Sequence, residues 1–100
     1  MIITSVEDPE KKRIRYEVGE NLTINNYQQF YEEVKELRMQ DPDADWCLDM
    51  EKVQYISSAG LRSILMIQQD EGDYTVTLIN VNWKLMEIFD ETGFNTFLNI

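Results

Sequence analysis

One hundred residues, 43% of them hydrophobic and 11% aromatic, hold enough apolar material for one core and too little for two domains. Nineteen acidic against nine basic residues give a formal net charge of −10, which opposes binding to nucleic-acid backbones and anionic membrane surfaces and favours encounter with a basic patch on another protein. With no histidine and a single cysteine, Cys47, neither an internal disulfide nor a typical zinc site can be assembled.

No apolar run approaches the length of a bilayer span, and the opening MIITSVEDPEKKR places apolar residues before charge, the reverse of a signal peptide. A cytoplasmic protein is expected. Ile2 to Val6 is short and β-branched, EDPEKK around Pro9 is a charged turn, and Arg13 to Val18 alternates through Ile14, Tyr16 and Val18. These predict an antiparallel hairpin at a sheet edge, broken by Gly19. Tyr27, Phe30, Tyr31, Val34 and Leu37 then recur at three- and four-residue steps with charges between them, which predicts an amphipathic helix with its aromatics in the core. Asn25 is placed to cap that helix, Gln28 completes a capping box, and Pro42 bars its continuation.

The acidic loop Asp41-Pro42-Asp43-Ala44-Asp45 lacks the ligand register and central glycine of a calcium loop, so no metal is expected there. In the next strand Trp46, Leu48 and Met50 fall on one side and Cys47 on the other, the pattern of an interior strand in which Cys47 is a small packing residue rather than a reactive thiol. Glu51-Lys52 turns the chain, Val53 to Ile56 is a short extended piece, and Leu61, Ile64, Leu65 and Gln68 mark a second helix ending at Asp70-Glu71-Gly72-Asp73. Tyr74 to Asn80 is predicted as a strand, with Tyr74, Val76 and Leu78 alternating against Thr75, Thr77 and Ile79. Val81, Leu85, Ile88 and Phe89 predict a third helix, closed by Gly93 as a left-handed cap with Phe94 packing behind it. Phe97, Leu98 and Ile100 are apolar. Helix and strand alternating after a hairpin require parallel pairing through right-handed crossovers, hence an α/β domain over residues 1–100 with helices covering at least one sheet face.

Ser57 and Ser58 stand where the apolar strand end hands over to the second helix. The plain reading is helix capping, a serine oxygen accepting the N–H of Gly60 or Leu61 for about 1 kcal/mol. Gly60 inside a helix costs about 1 kcal/mol relative to alanine, which implies a reason such as close backbone approach. A serine nucleophile needs a base; there is no histidine, and neither Gly-x-Ser-x-Gly nor Ser-x-x-Lys surrounds these residues. No phosphate-binding glycine loop exists either. Catalytic residues, bound metal and cofactor are therefore not expected, and a serine hydrolase or transferase is set aside.

The segment Val53-Gln54-Tyr55-Ile56-Ser57-Ser58-Ala59-Gly60-Leu61-Arg62-Ser63-Ile64-Leu65 resembles the signature of STAS domains, especially bacterial anti-sigma factor antagonists, in which an apolar strand end meets an (Asp/Ser)-Ser-x-Gly-Leu helix start. Leu48-Asp49-Met50 resembles the preceding central strand, and LMEIFDETGF, Leu85 to Phe94, the family's late helix. The resemblance implies a single STAS-type domain: a mixed, mostly parallel sheet of four to five strands with an N-terminal antiparallel hairpin and helices mainly on one face. It also implies a protein that binds an anti-sigma factor, commonly a serine protein kinase, is switched off when that partner phosphorylates the serine before x-Gly-Leu, and is restored by a phosphatase. That serine is Ser58, with Ser57 as the alternative acceptor, and the implied partner-binding residues are Thr23, Ile56, Ser57, Ser58, Ala59, Gly60, Leu61 and Arg62.

The chain departs from the pattern in three places. Ser57 stands where kinase-regulated members often carry Asp, Gly19-Glu20-Asn21-Leu22-Thr23 is one residue longer than the usual Gly-x-Leu-Asp and lacks its acid, and the end at Ile100 leaves little room for the family's last helix. A STAS interaction module without a phosphate cycle, in a transport or signalling assembly, is the alternative. Physically, a phosphate on Ser58 would add about −1.5 to −2 charges beside a helix N-terminus, which favours the helix by roughly 0.3 to 1 kcal/mol. Buried unpaired in an interface, the same dianion would cost roughly a hundredfold or more in affinity. The switch is expected to act on docking and not on folding.

Overall fold

A hairpin opens the chain because two alternating strands flank a charged turn: β1 (Ile3–Asp8) and β2 (Arg13–Val18) pair antiparallel from Ile3–Val18 to Asp8–Arg13. The computed structural model describes residues 1–10, 12–72, 76–96 and 98–100. After the hairpin come α1 (Tyr27–Gln40), β3 (Asp45–Asp49), α2 (Ser58–Asp70), β4 (Leu78–Ile79) and α3 (Trp83–Thr92), with a short 3-10 turn over Phe94–Thr96. The sheet order is β1-β2-β3-β4, with β2, β3 and β4 parallel.

Each crossover advances in the same direction across the sheet, so right-handed connections leave the helices on one face. In β2 burial alternates accordingly. Ile14, Tyr16 and Val18 of β2, Leu48 of β3 and Leu78 of β4 share one core with Phe30 and Val34 of α1, Leu61, Ile64 and Ile67 of α2, and Leu85 and Phe89 of α3. The alternate residues of β2 form a charged face, where Arg15 lies 3.3 Å from Glu17 and 3.6 Å from Asp49. The fold is thus the α/β architecture that the sequence implied.

Several details differ from the sequence reading. The residue at the N-cap position of α1 is Asn26, not Asn25, and it makes no capping bond. Its side chain instead accepts from Thr23 N at 2.7 Å and donates to Glu20 and to the Asn21 carbonyl, each at 2.8 Å, so the Asn25–Gln28 box does not form. The stretch expected as a strand from Tyr74 to Asn80 contributes the two residues of β4; Asn80 turns away with φ 57°. Asp73, Tyr74 and Thr75 lie outside the described residues, as does Phe97. Thr77 also forms an isolated parallel bridge with Asn99, and Leu78 N donates to Asn99 O at 2.7 Å.

Helix α3 starts at Trp83 rather than Val81 because Asn82 caps it, accepting from Leu85 N at 3.0 Å. It closes at Gly93 in the left-handed region, with Phe94 against the core, as the sequence predicted. The acidic loop is held from within: Arg38, buried at the end of α1, donates to the carbonyls of Asp41 and Pro42 at 3.0 Å and stacks over Trp46. Among the described residues no group of three or more His, Cys, Asp or Glu is arranged to hold a metal.

Helix α1 is tied to β1 through Glu33, whose carboxylate accepts from Ile2 N at 2.9 Å, Ile3 N at 3.0 Å and Gln29. Partial burial pushes this carboxyl up, but the N–H groups of Ile3, Gln29 and Ile2 together outweigh it and hold it below the ordinary 4.5. A depressed carboxylate contributes stability that is present above its ordinary pKa and lost as pH falls through the depressed value. Glu33→Gln is therefore expected to lower stability at pH 7 and to flatten the loss of stability between about pH 5 and 3. Urea unfolding of the two proteins at neutral pH and across that acid range checks this; parallel losses in the two proteins would sink it.

Candidate functional site

The loops that follow β2, β3 and β4 meet at the carboxyl end of the parallel strands, the end at which open α/β sheets present their sites. Ladder partners run out there, and side chains take over. Leu22, in the first loop, pairs with Ile56 in the second: Leu22 N donates to Tyr55 O at 3.3 Å and Ser57 N to Leu22 O at 2.9 Å. Asn21 Oδ1 accepts from Gln54 N at 2.8 Å and Tyr55 N at 3.2 Å. Asn82, in the third loop, donates to Val53 O at 3.0 Å while capping α3. Asp49 accepts from Glu51 N and from Asn80, each at 3.0 Å. The three loops thus form one laced rim.

On this rim the paired serines have different duties. Ser57 is the N-cap of α2, half-buried, and its Oγ accepts from Gly60 N at 3.1 Å. Ser58 is the first residue of the helix and exposed, and among the described residues its hydroxyl has no partner. Gly60 is buried because the helix presses on the first loop. A Cβ there would stand 2.9 Å from Leu22 Cβ, 2.9 Å from Ile56 Cγ2 and 3.1 Å from Leu22 O.

The residues singled out from sequence divide accordingly. Ser58 and Arg62 are exposed, Thr23, Ser57 and Ala59 half-buried, and Ile56, Gly60 and Leu61 buried, so the last three shape the surface from beneath. Thr23 Oγ1 accepts from Asn25 N and bonds Asn26, which fixes the first loop. Sequence reasoning missed Asn21 and Asn82. Asn82 carried a readable signal, an asparagine at a helix start, whereas Asn21 bonds across the fold and left none.

Three large apolar side chains also stand exposed, Ile24 on the first loop at 67%, Tyr55 on the second at 51% and Trp83 at the start of α3 at 67%. Singly such residues are ordinary. Two hollows, of about 250 and 260 Å³, lie elsewhere, one between α1 and α2 beside Met39 and Ile67, the other between the hairpin turn and Ala44. Neither is lined by Ser57 or Ser58.

A family model described as "Mlab, STAS domain" matches residues 7–99. Among solved structures, that of a candidate anti-sigma factor antagonist from Thermotoga maritima superposes with a TM-score of 0.82 at 17% identity, covering 98% of this chain and 84% of that one. The anti-sigma factor antagonist SpoIIAA in its unphosphorylated form gives a TM-score of 0.61 at 10% identity, covering 94% of this chain and 96% of that one. At these identities the likeness is one of fold. No curated protein matches the sequence at a significant level.

Two substitutions separate the duties of the rim. Ser57→Ala removes the cap and should cost about 1 kcal/mol, whereas Ser58→Ala should stay within about 0.5 kcal/mol. Gly60→Ala gains about 1 kcal/mol of helix propensity but forces overpacking worth roughly 1–3 kcal/mol against a carbonyl that cannot retreat, so net destabilisation is expected. Urea midpoints of the three variants decide both points; a stabilised Gly60→Ala protein, or equal costs at the two serines, would contradict them.

Proposed function

The chain belongs to the STAS domain family, and from that membership we propose that it is a cytoplasmic, non-enzymatic anti-sigma factor antagonist. Its docking to an anti-sigma factor that is a serine protein kinase is switched off by phosphorylation of Ser58 and restored by a phosphatase. The observation that carries this reading is the division of labour between the serines. Ser58 offers an exposed hydroxyl on the first turn of α2 that nothing among the described residues engages, while the Ser57 hydroxyl is spent on Gly60 N. A kinase reaching Ser57 would have to break the helix cap; reaching Ser58 breaks nothing.

The partner meets Thr23, Ser57, Ser58, Ala59 and Arg62, with Ile24, Tyr55 and Trp83 as apolar anchors around them and Ile56, Gly60 and Leu61 holding the surface in shape. A net charge of −10 favours a partner with a basic rim and disfavours nucleic acid and anionic membrane. No helix among the described residues is long and apolar enough to cross a membrane. A phosphate at Ser58 sits where helix N–H groups favour negative charge, so the fold tolerates it. Docking does not, because a dianion that must shed its hydration where the interface closes over it lowers affinity by roughly a hundredfold unless the partner pairs it fully.

A second reading, a STAS interaction module of a transport or signalling assembly that never cycles through phosphate, is favoured by Ser57, which stands where kinase-regulated members often carry Asp. Incubation with ATP and an anti-sigma serine kinase from the same cell, followed by intact-mass measurement, tests the switch. One phosphate is expected on the wild type and on Ser57→Ala, and none on Ser58→Ala. An unmodified wild type, or equal addition to Ser58→Ala, overturns it. Ser58→Glu should weaken partner binding by tenfold or more in titration calorimetry while leaving the melting temperature unchanged or raised; unchanged affinity favours the second reading.

A further inference from the structure

Helix α2 carries one cation, Arg62, and no acid before its final residue, Asp70. Arg62 is exposed, and among the described residues it makes no ion pair or hydrogen bond. The acids at the far end of the helix are engaged: Asp70 accepts from the Tyr31 hydroxyl, and Glu71 lies 3.3 Å from Arg38. Arg62 stands one helical turn beyond Ser58, in the i, i+4 relation that brings Cβ atoms within about 5–6 Å. The order is also the favourable one, with the anionic position N-terminal to the cation.

A guanidinium is planar, always charged and matched to phosphate oxygens through paired N–H donors. Of the other exposed cations of the rim, Lys52 sits in the turn after β3 and Lys84 in the first turn of α3, where it lies over the Trp83 ring at 5.9 Å. We infer that Arg62 is the intramolecular mate of a phosphate on Ser58. The inference rests on Ser58 being the acceptor and adds how the modified state is built. Before modification the Arg62 side chain is available to a carboxylate on the partner; afterwards it is folded back onto the phosphate. Phosphorylation then changes the docking surface twice, by adding an anion and by withdrawing a cation.

The test needs no kinase. Phosphoserine is installed at position 58 by genetic encoding, and the second ionisation of the phosphate, ordinarily near pH 6, is followed by phosphorus NMR in low salt. An adjacent guanidinium favours the dianion, so the transition in Arg62→Gln should lie about half a pH unit above that of the otherwise unaltered phosphoprotein. Arg62→Lys should restore part of the difference, and added salt should shrink it. Lys52→Gln and Lys84→Gln should leave the transition in place, and the helix N-terminus, common to every variant, cancels from the comparison. Equal transitions with and without Arg62, or a shift produced by a lysine substitution alone, overturn the pairing. A cellular protein that never carries phosphate would sink the switch but leave the pairing intact, so the two failures are distinguishable.

Discussion

The structure depends on the contact between the first turn of α2 and the backbone of Leu22. The Leu22 carbonyl accepts from Ser57 N at 2.9 Å, and the same carbonyl lies 3.1 Å from where a Cβ on Gly60 would be. The helix cannot retreat to make room without losing the bond, and it cannot stay with a side chain there. Glycine is the residue that satisfies both conditions, at about 1 kcal/mol of helix propensity. Burial of Leu22, Ile56, Leu61 and Ile64 around the contact offsets that cost. With the helix start pinned, Ser57 is left in extended geometry and turned inward to cap, and Ser58 is turned outward.

The rest of the rim follows from a shortage of backbone partners. Where the parallel strands end, N–H and C=O groups lose their ladder, and each one buried without a partner costs about 1–3 kcal/mol. Asn21, Asn26, Asn82 and Asp49 supply the missing donors and acceptors, Asn80 braces Asp49, and several of these bonds join loops distant in sequence. A rim tied this way has its shape before any partner arrives. Little ordering entropy is left to lose on binding, which is the condition under which a small exposed surface can bind well.

Local pattern made much of this legible. The period-two alternation of Arg13 to Val18, the helical steps from Tyr27 to Leu37, the left-handed Gly93 and the Ser57–Gly60 cap all express short-range physics, and each appears in the structure. What stayed hidden was set by the far side of the fold. Asn25 and Asn26 are equivalent candidates for a cap until Thr23, Glu20 and Asn21 recruit Asn26, which no spacing announces. The strand around Leu78 bonds β3 on one side and Asn99 on the other, and it ends where Asn80 turns out of the ladder. Of the site, the serine pair and Gly60 were readable, while the exposed trio Ile24, Tyr55 and Trp83 was not, because hydrophobicity by itself does not say which residues a rim leaves outside.

A chain that already carries a charge of −10 constrains how one more anion can act. Exposed charges farther apart than about 8 Å are largely screened at physiological salt, so a phosphate cannot work by changing the overall field of the molecule. Its effect has to be local, on groups within a turn of helix and on whatever is pressed against them. The first turn of α2 is such a place: under the proposed switch its N–H groups and Arg62 would moderate the charge in the free protein, and the apolar residues around it are those that an interface would cover. The moderation belongs to the free, modified state, whereas desolvation is felt only in the complex. The free-energy difference between those two states, and not the stability of either alone, is what a modification at Ser58 would alter.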